Sequence, residues 1–423
     1  MPTPVPRGFL WGAATSSHQV EGGNDDNDWS DWERERGHVL DGTVSGAACE
    51  WWQARAEDDL TLAASLGHNA HRLSLEWSRL EPEPGRFDAA AFARYARMLD
   101  HARGVGLEPC VTVHHFTLPK WVARDGSWTD ERIVGRFARY AEECVTRLGA
   151  HVRLWATMNE PSVLAFLGYA GDRWPPGLGD PRAAMGALAR MLRAHAAAYE
   201  AMRSGRSDAD VGLVINLPAL DPASRAWRDR AVTRAQDWIF NGVVLHALET
   251  GWLLPPLVLV PTRVPGLRRS FAWLGLNYYG RYEVRFDARA PALAFGRHVQ
   301  EPSQRTAHND WGQISPDGLE RQLLRLARIG VPLYVTENGV FALDDRVRER
   351  YVREHVAAVG RAIARGADVR GYFHWSLVDN FEWAEGYSAP FGLVEVDRAT
   401  QRRTPRPSAG VYADLIRAGV FPV

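Results

Sequence analysis

Lysine is almost absent from this chain. Lys120 stands alone among 50 basic residues, and the rest are arginines. Alongside a high alanine content, that bias reads as the codon usage of a GC-rich genome rather than as an arginine-dependent function. An excess of charge of either sign is also missing. The 51 acidic residues nearly balance the basic ones, for a net charge of -1. A near-neutral chain projects no strong field, which argues against nucleic acid or an anionic membrane as a partner. Cysteine is scarce. Cys49, Cys110 and Cys144 form no Cys-x-x-Cys pair, and three distant thiols make a poor disulfide framework. A reducing compartment is the expectation. No long apolar run occurs. The most apolar late stretch, residues 251–264, is broken by Pro255, Pro256 and Pro261 and falls short of the roughly 20 residues that span a bilayer. The opening residues lack the basic start and apolar core of a secretory leader. Together these absences lead us to expect a soluble, cytoplasmic protein. No His-Glu-x-x-His occurs. The adjacent His114 and His115 would point to opposite faces of a strand. Neither a metal nor a cofactor is expected.

What is present is alternation. With 46% hydrophobic and 24% charged residues, the composition is that of a globular protein and excludes a disordered chain, a collagen or a coiled coil. Short β-rich runs occupy residues 9–14, 70–75, 108–114, 154–158, 211–215, 273–278, 333–336 and 369–375. Between them lie amphipathic helical segments such as 57–66, 89–103, 133–148, 181–203, 318–329 and 347–365. Strands alternating with helices imply parallel βαβ units. Eight units without a break imply one (β/α)8 TIM barrel over residues 1–423, a single domain in the α/β class. The competing open sheet would carry a Gly-rich loop after its first strand. Here that strand is followed by Thr15-Ser16-Ser17-His18-Gln19, without glycine. Pro-rich clusters at 81–85, 174–177 and 255–265 read as loop corners, not domain joints.

In such a barrel chemistry sits at the C-terminal ends of the strands. Strand four ends Thr157-Met158-Asn159-Glu160-Pro161, and strand seven ends Tyr334-Val335-Thr336-Glu337-Asn338-Gly339. Two carboxyl groups facing each other across the mouth suit glycosidic bond cleavage. One protonates the leaving oxygen; the other attacks the anomeric carbon or activates water.

These two segments closely resemble the active-site signatures of glycoside hydrolase family 1, the retaining β-glycosidases that include β-glucosidases. The resemblance spans nearly the whole chain. It includes the stretch from Phe9 to Gly22, the stretch from His71 to Arg79, His115-Phe116-Thr117-Leu118-Pro119, Leu274-Gly275-Leu276-Asn277-Tyr278-Tyr279, and the stretch from Trp375 to Trp383. It implies that Glu160 is the acid/base and Glu337 the nucleophile. A neighbouring anionic Glu337 would raise the pKa of Glu160. Arg72 and Tyr279 match residues beside the nucleophile. Gln19, His115, Asn159, Glu382 and Trp383 match the hydrogen-bonding set for the non-reducing sugar, with Asn159 at its 2-hydroxyl. Trp375 matches the platform under the ring, and Asn277 an orienting residue. Trp174 and Trp311 fall in loops bordering the leaving-group side. His18 stands where the family commonly has an aromatic and Thr117 where an acid is common. Those changes, with a compact stretch between strands five and six, bear on leaving-group preference, because loops build that side.

The implied activity is hydrolysis of small β-glycosides or short oligosaccharides, glucosides first, galactosides and fucosides next. The alternatives are a 6-phospho-β-glycosidase of the same family and a sugar-binding pseudoenzyme. A pseudoenzyme requires a missing catalytic acid, and none is missing. A 6-phosphate would meet an ionised Glu382, and residues 379–390 contain no Arg or Lys.

Overall fold

The computed structural model describes residues 3–291, 294–299, 303–305 and 310–422. Eight strands form a closed barrel: β1 (Leu10–Ala14), β2 (Ala70–Ser74), β3 (Glu108–His114), β4 (Leu154–Asn159), β5 (Asp210–Asn216), β6 (Trp273–Asn277), β7 (Leu333–Asn338) and β8 (Val369–Trp375). Each pairs in parallel with its sequence neighbour, and β1 closes the ring on β8. The TIM-barrel expectation is met, and every strand lies within a few residues of its sequence-derived position. Strands buried on both faces carry continuous apolar runs, which is why they are legible.

The barrel interior is filled rather than hollow. Small residues such as Ala70, Cys110 and Ala156 share it with Trp273 and Phe373. Trp273 fits because its neighbour on β5 is Gly212: a Cβ there would collide with the indole. The outer layer consists mainly of helices α1 (Ala56–Ser65), α2 (Ala89–Gly104), α3 (Ile133–Leu148), α4 (Pro181–Gly205), α5 (Trp227–Asp237), α6 (Val243–Thr250), α7 (Pro316–Ala327), α8 (Asp345–Ala364) and α9 (Pro407–Ala418). Several start on side-chain caps. Asp88, Asp180, Ser315 and Asp344 each accept a backbone N–H of the first turn. No helix among the described residues is long and apolar enough to cross a membrane.

Three helices, α5, α6 and α9, go beyond the segments singled out in the sequence. Helix α5 escapes because it lacks an apolar stripe: its buried positions are Asp229, Val232 and Thr233. The stretch between strands five and six is therefore compact yet largely structured.

Candidate active site

Both acids sit where their strands are irregular. The pairing of β4 with β5 shifts register between Ala156 and Asn159, and Glu160 follows with a left-handed φ of 45°. Its N–H donates to the Val214 carbonyl at 2.9 Å, and Pro161 opens a helical turn. A bulky residue takes that backbone only where its surroundings over-determine it. Strand β7 shifts register between Val335 and Glu337 against β6, and between Val335 and Asn338 against β8. Such bulges re-aim side chains. Gly339 follows because a Cβ there would clash with the Trp375 carbonyl, so β7 and β8 approach closely just past Glu337.

The two carboxyl groups are joined by one chain of hydrogen bonds. Glu337 Oε1 accepts from Arg72 Nη1 in a buried ion pair, and its Oε2 accepts from Tyr279 Oη at 2.6 Å. Arg72 is fully engaged: it also donates to Thr112 Oγ1 at 3.2 Å, the Thr336 carbonyl at 3.3 Å and Asn159 Oδ1 at 2.7 Å. Asn277 Nδ2 donates to Asn159 Oδ1 at 3.1 Å and to Glu160 Oε1 at 2.7 Å. Thr336 Oγ1 donates to Asn277 Oδ1 at 2.7 Å, and the amide is fixed that way round by its Nδ2 facing Asn159 Oδ1, which already accepts from Arg72. Asn216 Nδ2 gives Glu160 a second donor at 3.1 Å.

These surroundings treat the acids differently. The Glu160 carboxyl is pushed above the ordinary range, first by burial and then by the charge of Glu337, with the Asn277 and Asn216 hydrogen bonds pulling the other way. Sequence reasoning named the neighbouring charge; burial is the larger cause. Tyr279 is raised well above the usual phenol by burial and then by Glu337, so it remains a donor.

Around the acids stand the expected sugar-facing residues. Asn159 Oδ1 accepts from Arg72 and Asn277, so its NH2 faces His115 Nε2, 3.3 Å away. That makes Nε2 the acceptor and leaves the proton on His115 Nδ1, which is buried without a protein partner. Gln19 accepts from Ser16 Oγ and donates to the Phe381 carbonyl, Asn380 Oδ1 and Glu382 Oε2 at 2.9, 3.3 and 3.2 Å. Trp375 Nε1 also donates to Glu382 Oε2, at 3.4 Å. Burial, then the charges of Glu337 and Glu385, push the Glu382 carboxyl well above its usual range. Burial therefore works against the charge expected of Glu382 from the sequence. The segment around it, residues 379–390, contains no Arg or Lys.

The cavity holds about 530 Å3. Glu160, Glu337, Tyr279, Trp375, Glu382 and Trp383 line its deep part with His115. Gln19, Arg72, Asn159 and Asn277 are buried behind this lining and hydrogen-bond to its residues. Toward solvent the wall is apolar at Val163, Leu167, Phe240 and Trp311, and polar at Arg173, His298 and Asp310. Trp174 lines it too, packed on Phe116 and Trp383. His18 and Thr117 do not line it. Both are buried, and Thr117 Oγ1 donates to the Glu76 carboxylate. These two changes therefore do not build the leaving-group side, contrary to expectation. Sequence reasoning missed Asn216, Thr112, Thr336 and Phe240. Asn216 had a signal, a polar residue closing a strand at the barrel's active end.

A family model described as Glycosyl hydrolase family 1 matches residues 1–253 and 260–420. Beta-glucosidase A of Thermotoga maritima is 34% identical, covering 97% of each chain. The bifunctional beta-D-glucosidase/beta-D-fucosidase of Bifidobacterium breve is also 34% identical, over 97% of this chain and 98% of that one. Among solved structures, a beta-glycosidase from Pyrococcus horikoshii superimposes with a TM-score of 0.90 at 39% identity, covering 100% of this chain and 97% of that one. With the two strand-end acids, the barrel and these full-length matches in agreement, the chain belongs to glycosyl hydrolase family 1.

Proposed function

We propose that this chain hydrolyses non-reducing terminal β-D-glucosyl residues with retention, as one catalytic unit over residues 1–423. A single observation carries the reading: two buried carboxyl groups at one mouth have different partners. Glu337 accepts from a guanidinium and a phenol, the partners of a carboxylate. Glu160 sits where burial favours its neutral form.

Glu337 attacks the anomeric carbon while Glu160 gives its proton to the departing oxygen. The glycosyl ester removes the charge of Glu337, and Glu160 ionises more readily. It then takes a proton from the water that cleaves the ester. Arg72 and Tyr279 hold the nucleophile. Asn277 ties the acid to the rest of the network. The Asn159 amide meets the 2-hydroxyl of the ring, and the His115 imidazole, on the cavity wall, meets the neighbouring hydroxyl. Gln19 presents Glu382, which with Trp383 takes the remaining hydroxyls, and Trp375 forms the platform under the apolar face of the sugar. Galactosides and fucosides are secondary substrates; the activity named for the Bifidobacterium relative supports the fucoside. A reducing, cytoplasmic location belongs to the same reading, supported by three buried, unpaired thiols.

The test is a panel of matched aryl β-glycosides, with and without a 6-phosphate. The plain β-glucoside should have the highest kcat/KM, and the first-formed product should be the β-anomer. Preference for the phosphorylated substrate, or an α-product, overturns the assignment.

A further inference from the structure

His18 is buried beside the site and has no part in the chemistry above. Its ring lies almost parallel to that of Trp383, with centroids 5.7 Å apart and planes 11° from parallel. A second near-parallel ring, His115, lies 6.1 Å from Trp383 at 16°. Trp29, Phe116 and Trp174 enclose Trp383 at steeper angles.

The orientation of His18 is fixed by hydrogen bonds. Asn27 Oδ1 accepts the Ser30 N–H at 2.8 Å, so the Asn27 NH2 faces His18 Nδ1, 3.0 Å away. Nδ1 is therefore the acceptor, and Nε2 donates to Glu33 Oε2 at 3.2 Å. Glu33 is itself held, its Oε1 accepting from Ser45 Oγ at 2.8 Å. The ring cannot turn without breaking a buried bond.

Trp383 needs such a support. Its φ is 53°, left-handed for a bulky residue, a conformation that persists only when its surroundings over-determine it. The helical turn Ser17–Val20 supplies two holds on the same loop. Gln19 binds the Phe381 carbonyl and Glu382, its own carbonyl accepts the Phe381 N–H, and His18 backs Trp383.

We propose that His18, locked by Asn27 and Glu33, is a positioning residue that holds Trp383 in its left-handed conformation and so sets how strictly the site reads the 4-hydroxyl of the sugar. This rests on the glucosidase reading, in which Glu382 accepts from the 4- and 6-hydroxyls of the sugar and Trp383 adjoins it.

The measurement is the ratio of kcat/KM for matched aryl β-glucoside and aryl β-galactoside, which differ at the 4-position. Both substrates meet the same enzyme, so the ratio is independent of the folded fraction. His18→Leu removes the ring and its bonds. The ratio should move toward one by about two- to tenfold, the range that losing one aromatic contact produces. The change should fall on KM more than on kcat. His18→Phe keeps the plane and should restore much of the discrimination. Should His18→Leu fail to fold, Glu33→Gln loosens the same ring and should shift the ratio the same way, by less. A lowered Tm with an unchanged ratio and KM in the variants overturns the proposal and leaves His18 a packing residue. Absence of glycosidase activity in the unaltered enzyme overturns the glucosidase reading instead.

Discussion

Removing Asn216 should move the alkaline limb of the pH profile upward. Glu160 serves as an acid in its protonated form, so kcat/KM falls as pH rises and that proton is lost. Burial and Glu337 place this limb above the ordinary carboxylate range. Asn216 opposes them by donating to Glu160 Oε1 at 3.1 Å, a bond that favours the charged form. In Asn216→Ala the charged form loses that donor, the neutral form loses less, and the limb shifts to higher pH. A hydrogen bond to a charged group is worth about 1.5–3 kcal/mol. Asn216 is only half-buried and its bond is the longer of the two, so water replaces part of it. A net change near 1 kcal/mol remains, and at about 1.4 kcal/mol per pKa unit the limb moves by roughly 0.5–1 unit. The assay is kcat/KM against pH for an alkyl or phenyl β-glucoside, whose poor leaving group makes protonation matter. A limb that stays in place or moves to lower pH refutes the reasoning. Asn277→Ala should move it the same way, and should also lower the maximum rate, because Asn277 supports Asn159 as well.

Glu337→Gln should abolish nearly all turnover while folding normally, since the amide keeps the shape but not the anionic nucleophile; wild-type-like hydrolysis by folded protein would sink the assignment. Glu160→Ala should slow poor leaving groups far more than good ones, and azide should rescue it as the β-glycosyl azide. Equal losses for both classes in the glycosylation step would contradict the acid role. Glu382→Ser should weaken use of the plain glucoside by about tenfold or more, the scale of a lost hydrogen bond from a carboxyl acceptor. Unchanged KM and kcat would remove Glu382 from the sugar site.

The barrel was legible because parallel strands buried on both faces are written as unbroken apolar runs and their helices as amphipathic ones. The acids were legible for a different reason, their place next to Asn, Pro and Gly at strand ends. What escaped was mostly relational. Nothing in the residue order tells that Arg72 reaches both Glu337 and Asn159, or that Thr336 bonds the Asn277 amide. The bulges in β4 and β7 are settled by pairing across the barrel, not by local propensity. His18 shows the limit most plainly. Its unusual identity was visible, but its place behind Trp383, away from the cavity, follows from how the Ser17–Val20 turn sits against the loop after β8.

The left-handed backbone at Glu160 has a consequence for the lineage of the gene. Glycine or asparagine would occupy that φ of 45° with less strain, and neither would confine an ionisable group in a buried site. Drift at this codon therefore gains stability whenever catalysis ceases to matter to the cell. A copy released from selection would be expected to lose this glutamate early. A glutamate held at this φ costs the fold stability, a cost that a sugar pocket alone does not require.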